Sequence, residues 1–136
     1  MSNAPRHAPP KGSNTQNQEL LYDPDVATSS HAEQAKTLAS KMSTATLCTM
    51  SVEPEGFPYG SFVTYAMHEG NPIFLISALA EHTKNLLKNP KASLLIAEAG
   101  EGNPLALGRV TLVGECTKLP DHERDVVKET FLAKHE

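Results

Sequence analysis

Residues 77 to 90 read SALAEHTKNLLKNP, with Ser77, Glu81, His82, Thr83, Lys84 and Asn85 crowded into one short span. The apolar run Pro72 to Ile76 leads in, and Asn89-Pro90 closes the stretch. This pattern predicts a strand that feeds a short helix. The first turn of such a helix leaves backbone N–H groups without intrahelical partners, and the helix dipole makes that end attractive to an anion. Thr83 adds a hydroxyl donor; His82 and Lys84 add protonatable or charged ones. The set can hold a phosphate. The same residues fit a plainer role, in which Ser77 and Thr83 cap the helix and the others are solvated.

A second stretch, PYGSFV, puts Gly60 inside an expected strand beside Tyr59, Ser61 and Val63. A glycine there marks a bulge or kink, or lets a flat ligand come close to the backbone. Arg109 opens a later strand, where an arginine is commonly solvated. His7, His31, His68, His122 and His135 show no metal-ligand spacing on one helix face. Each reads as solvated, although a haem iron needs only one imidazole. Cys48 and Cys116 lie far apart among apolar neighbours and read as buried reduced thiols. There is no nucleophile elbow, P-loop or dinucleotide fingerprint. An enzyme built on this chain would take its chemistry from a cofactor.

The elements that must position these residues follow from patterning. Residues 1–28 are expected to form a disordered tail, rich in Pro, Asn, Gln and Ser, with Leu20, Leu21 and Tyr22 as a local apolar group. The "SNA" after Met1 fits an expression scar or native sequence alike and carries no weight for the fold. Residues 29–136 are expected to be one domain. SHAEQAKTLASKM opens with a Ser30-x-x-Glu33 capping box and reads as a helix with Ala32, Ala35, Leu38, Ala39 and Met42 on one face. Strands are expected at 44–52, 57–67, 72–77, 91–99 and 109–119, the first three as a meander with tight turns at EPEG and HEGN. Asp121 is expected to cap a last helix whose Val127, Phe131 and Leu132 share a face. The fold class is mainly β (α+β), a small antiparallel barrel with flanking helices. Five strands leave that barrel one short, with an open edge for further chain or a partner to cover.

The 136 residues carry a net charge of −4, which argues against a nucleic-acid partner. No apolar run approaches the roughly 18–20 residues that span a bilayer, and no signal peptide is evident. A cytoplasmic protein without membrane contact is the expectation.

GFPYGSFVTYA, then IFLISALAEHTKNLLKNPKASLLI, then GRVTLVGE resemble the FMN-binding split-barrel family, the pyridoxamine-phosphate-oxidase-like superfamily. The nearest look is to the branch with haem-utilisation proteins, flavin oxidoreductases and plastid proteins that bind glutamyl-tRNA reductase. The resemblance covers residues 30 to 136, and LAEHTKNL with NPKASLL carries most of it. It implies a homodimer of six-stranded split barrels with FMN between the subunits, and further chain beyond residue 136. It implies that Ser77, His82, Thr83 and Lys84 hold the flavin phosphate, and that Tyr59, Gly60, Ser61 and Val63 run past the flavin. It also implies that Arg109 faces the ring. Glu81 departs from the pattern, since the oxidases carry a basic residue in its slot. The activity implied first is a flavin-dependent oxidoreductase. The alternatives are a haem-binding or haem-degrading barrel, and a dimeric interaction module without a cofactor.

Overall fold

The computed structural model describes residues 30–136. The expected N-terminal tail lies outside the described residues. Helix α1 (His31–Lys41) starts as its capping box predicts: the Ser30 hydroxyl accepts from the Glu33 backbone N–H at 3.2 Å. Six strands follow: β1 (Thr44–Met50), β2 (Pro58–Thr64), β3 (Ala66–His68), β4 (Asn71–Ile73), β5 (Lys91–Ala97) and β6 (Arg109–Glu115). Helix α2 (Glu81–Lys88) lies between β4 and β5, and α3 (Asp121–Lys134) follows β6.

The strands form an antiparallel four-stranded sheet, ordered β2-β1-β5-β6, and a separate antiparallel pair, β3-β4. This is a mixed α+β fold with an open, split sheet. The expected strand over 57–67 is two strands, broken at Tyr65. The Tyr65 side chain is completely buried, and its hydroxyl donates to the Ala39 carbonyl at 2.6 Å. Its backbone N–H donates to the Ser43 carbonyl at 3.0 Å, which turns the chain out of the large sheet. The expected strand over 72–77 stops at Ile73, because its partner β3 is only three residues long. The three-strand meander is therefore a hairpin plus a second, smaller hairpin. Glu69 and Gly70 make the turn of the latter, with φ of 49° and 79°.

One face of the large sheet is the core. Ala45 and Leu47 of β1, Val63 of β2 and Leu94 and Ile96 of β5 are buried there, covered by Ala39 of α1 and Leu86 of α2. The opposite face leaves Phe62 80% and Val113 84% exposed.

Asp121 does not cap α3. Pro120 occupies the cap position, and Asp121 begins the helix and pairs with Arg124 at 3.0 Å. Proline's fixed φ suits a helix start. Phe131 is buried and Leu132 is exposed, so they do not share the packed face. The end of α3 is fastened by polar contacts. Lys134 Nζ donates to the carbonyls of Ser40 and Met42 and sits 4.9 Å from the Tyr65 ring centroid. Burial lowers the Lys134 pKa. His135 Nε2 lies 2.6 Å from the Tyr65 carbonyl, which can only accept, so the ring donates. His135 is thus a half-buried docking residue rather than a solvated one. His68 lies 3.4 Å from the Thr130 hydroxyl and is half-buried as well.

Candidate functional site

Asparagine is a poor helix former because its side chain competes for backbone hydrogen bonds. Asn85 nevertheless sits in the middle of α2 with only 1% of its surface exposed. Its Oδ1 accepts from the Val52 backbone N–H at 3.0 Å, and its Nδ2 donates to Thr49 Oγ1 at 3.0 Å. These two bonds lock α2 against β1 on the core side of the sheet. Sequence reasoning grouped Asn85 with the polar cluster and missed this role. The available signal was its mid-helix position next to the apolar Leu86.

His82 lies three residues before Asn85, on the same helix face. Its Nε2 is buried and has no hydrogen-bond partner. The Ser61 hydroxyl on β2 is likewise buried and unpartnered. Ser61 stands opposite Leu47 in the β1-β2 register, so its side chain shares the core side. Tyr59 stands opposite Thr49 and Val63 opposite Ala45, on that same side. Most buried polar groups find partners, and one that does not calls for an explanation. Among the described residues, these two are the buried side-chain polar atoms left unsatisfied.

The remaining residues expected at the site are placed differently. Gly60 is paired with Cys48 in an unbroken register, so β2 has no bulge. A Cβ there would meet only Thr46 Cγ2 at 3.6 Å, an ordinary contact, so no protein atom demands glycine. Ser77 and Thr83 do not cap α2. Ala80 is at the cap with no side-chain hydrogen bond. Thr83 Oγ1 instead donates to the Ser77 carbonyl at 2.5 Å, and the Ser77 hydroxyl accepts from the Leu79 N–H at 3.1 Å. Lys84 Nζ is 3.2 Å from Glu81 Oε1, within one helix turn. Arg109 begins β6, the edge strand opposite β2, and its guanidinium donates to the Leu105 carbonyl at 3.4 Å. Its register partner is Ala97, on the face away from Leu94 and Ile96. Arg109 therefore lies on the opposite face of the sheet from Ser61.

Two shallow clefts, of about 380 Å³ beside Met67 and Lys134 and about 300 Å³ beside Cys48 and Lys91, are lined by neither His82 nor Ser61. Unpartnered buried atoms call for a partner from outside the chain, a ligand or an ordered water. Cys48 and Cys116 are half-buried free thiols, and burial raises the Cys116 pKa. No group of three or more metal-ligating side chains occurs among the described residues. No helix among them is long and apolar enough to cross a membrane.

Residues 26–136 match the CREG β-barrel family. The chain belongs to that family. It is 37% identical over 115 residues to the chloroplastic non-canonical haem oxygenase HOZ of Arabidopsis thaliana, covering 84% of this chain and 35% of the relative. A haem-binding protein of Mycobacterium smegmatis is 38% identical with a TM-score of 0.73, over 79% of this chain and 44% of that structure. An FAD-binding protein of Mesorhizobium loti, 20% identical with a TM-score of 0.61, shares the fold over 78% of this chain and 77% of its own. The CREG β-barrel chain is therefore a split barrel like haem-binding and flavin-binding proteins. It spans less than half the length of the Arabidopsis and Mycobacterium smegmatis proteins.

Proposed function

We propose that this split barrel binds haem, with His82 as the side chain that meets the iron. The observation that carries the reading is the buried His82 Nε2, which has no partner in the protein. An unprotonated imidazole nitrogen is a good ligand for haem iron. The other described histidines have nearby polar or ionic groups or lie in the open. His135 is bonded to Tyr65, His68 lies beside Thr130 and Glu69, His122 is near Glu123, and His31 is exposed. The likeness to a haem oxygenase (37% identical) and to a haem-binding protein (38% identical) supports the same choice.

The chain's own residues would do three things. Asn85 holds α2 in register, which fixes the height of His82 above the sheet. Leu47 and Val63, packed in the core, fix the strand that carries Ser61. Ser61 offers one hydroxyl to a polar group of the ligand. Bound haem would supply redox chemistry that none of these side chains has. The exposed sheet face with Phe62 and Val113 suits a second copy of the chain, and the dimer expected from the sequence is part of this proposal. A cytoplasmic setting belongs to it too.

The second reading is an FMN-dependent oxidoreductase. The unpartnered Ser61 hydroxyl, on the strand that the resemblance places along a flavin, favours it. Absorption titrations separate the two. Haem should give a Soret band in the wild type that shifts or weakens in His82→Ala. Flavin bands regained on adding FMN, with no haem spectrum, would reverse the order of the readings. A chain that binds neither would be an interaction module.

A further inference from the structure

The two outer strands of the four-stranded sheet are β2 and β6, and they differ as edges. β2 opens on Pro58, which cannot donate to a neighbouring strand. β6 reads RVTLVGE, contains no proline and keeps an unbroken register with β5. An unblunted edge of this kind is a template for another strand. The Gly108 carbonyl accepts from the Glu98 N–H at 2.7 Å, and the Cys116 N–H donates to the Pro90 carbonyl at 2.8 Å. Bonded and unbonded pairs alternate along an antiparallel ladder. The even-numbered residues of β6 therefore bond toward β5. Arg109, Thr111, Val113 and Glu115 turn their backbone N–H and C=O groups outward.

We infer that β6 is a self-pairing edge: it joins β6 of a second copy of this chain, antiparallel about Leu112, and continues the sheet across a two-fold axis. The strand is complementary to itself in that register. Arg109 falls opposite Glu115 at both ends of the contact, and neither has an ion-pair partner among the described residues. Thr111 falls opposite Val113, a β-branched pair. These four residues are the ones with outward backbone groups, so each facing pair exchanges hydrogen bonds. On the core face, Leu112 meets Leu112 and Val110 meets Gly114. A Cβ on Gly114 would touch nothing within 4 Å, so the space beside it is open to that valine. Val110 and Leu112 pack against the core but are only half-buried, and the pairing covers them. A slip of two residues loses both charge pairs. A two-fold contact also closes at the dimer, whereas β6 on β2 would propagate into a filament. The inference rests on the second copy proposed above, not on the ligand that the barrel binds.

The test is charge reversal with rescue. Sedimentation equilibrium on the full chain gives the dimer dissociation constant for wild type, Arg109→Glu, Glu115→Arg and the double variant. Arg109 and Glu115 are exposed, so the variants should fold. The wild type should dimerise. Each single reversal sets two like-charge pairs across the contact and should raise the constant about tenfold. The double variant should return it to near the wild-type value. Residues 109 and 115 lie at opposite ends of one strand, so the rescue can only come from the second copy. Hydrogen exchange gives a second readout: the Thr111 and Val113 amides should exchange slowly in the dimer and fast in the Arg109→Glu monomer. A monomeric wild type overturns this inference and the dimer proposed above. A dimer indifferent to the single reversals, or not restored in the double variant, overturns the edge contact alone and leaves the Phe62 face as the interface. Slow exchange of Thr111 and Val113 in a monomer means that another segment covers the edge, and overturns it too. Failure of the haem reading is seen separately, as a wild type that gives no Soret band with haem.

Discussion

Replacing Asn85 with Ala tests whether one buried amide positions the site. The change removes the acceptor of the Val52 N–H and the donor to Thr49 Oγ1, both at 3.0 Å. Each hydrogen bond contributes about 0.5–1.5 kcal/mol net, and a buried donor left without a partner costs about 1–3 kcal/mol. Asn85 is almost fully enclosed, so water cannot readily replace the lost atoms. A loss of about 3 kcal/mol is expected, a large part of the 5–15 kcal/mol typical of a domain. In urea denaturation at fixed protein concentration this would lower the midpoint by about 1–3 M with an unchanged slope. Asn85→Asp retains an acceptor for Val52, so it should recover part of the loss. Haem binding should weaken in Asn85→Ala even well below the unfolding midpoint, because the α2 start is no longer held to β1. A loss under about 1 kcal/mol, or full haem affinity in the Ala variant, would refute the anchoring argument.

Ser61→Ala removes a buried hydroxyl that has no partner, so the unliganded protein should keep its stability or gain up to about 1 kcal/mol while ligand affinity falls. A clear loss of stability in urea would mean that the hydroxyl is satisfied after all. Glu98 is pulled below its ordinary carboxyl value of 4.5, first by its hydrogen bond from Lys41 and then by the Gly108 N–H. A lowered folded-state pKa means the stabilisation is complete above that value and is lost as pH falls through the folded pKa. Wild type should therefore exceed Glu98→Gln in urea midpoint at neutral pH, and the difference should close below pH 4.5; a constant difference would rule out the charge as its source.

The elements with local punctuation were legible in the sequence. The capping box at Ser30 and the stop at Asn89-Pro90 marked the start of α1 and the end of α2. Alternation marked the cores of β1, β5 and β6. The break at Tyr65 was not legible, because GSFVTYAM keeps alternating through it. The break depends on the Ala39 and Ser43 carbonyls, supplied by a distant stretch. PIFLIS read as a strand because it is apolar, yet Phe74 and Ile76 pack against the core from an irregular segment. His135 read as solvated because its partner carbonyl lies 70 residues away. At the site, the residue types at 82–84 were visible, but their pairings were not. Only geometry separates Lys84, engaged with Glu81, from His82, engaged with nothing.

That contrast bears on function. Asn85, one turn from His82, has its amide oxygen and nitrogen both matched, so the fold can satisfy a buried polar group on this face when stability alone is at stake. Glu81, Thr83, Lys84 and Ser77 are matched as well. Against that background, His82 Nε2 and Ser61 Oγ stand unmatched on the same side of the sheet. Leaving two such atoms bare costs about 1–3 kcal/mol each. Apolar residues of similar size would remove that cost without disturbing Asn85. The arrangement makes physical sense if the missing partners arrive with a ligand, whose binding then recovers the energy that folding alone does not.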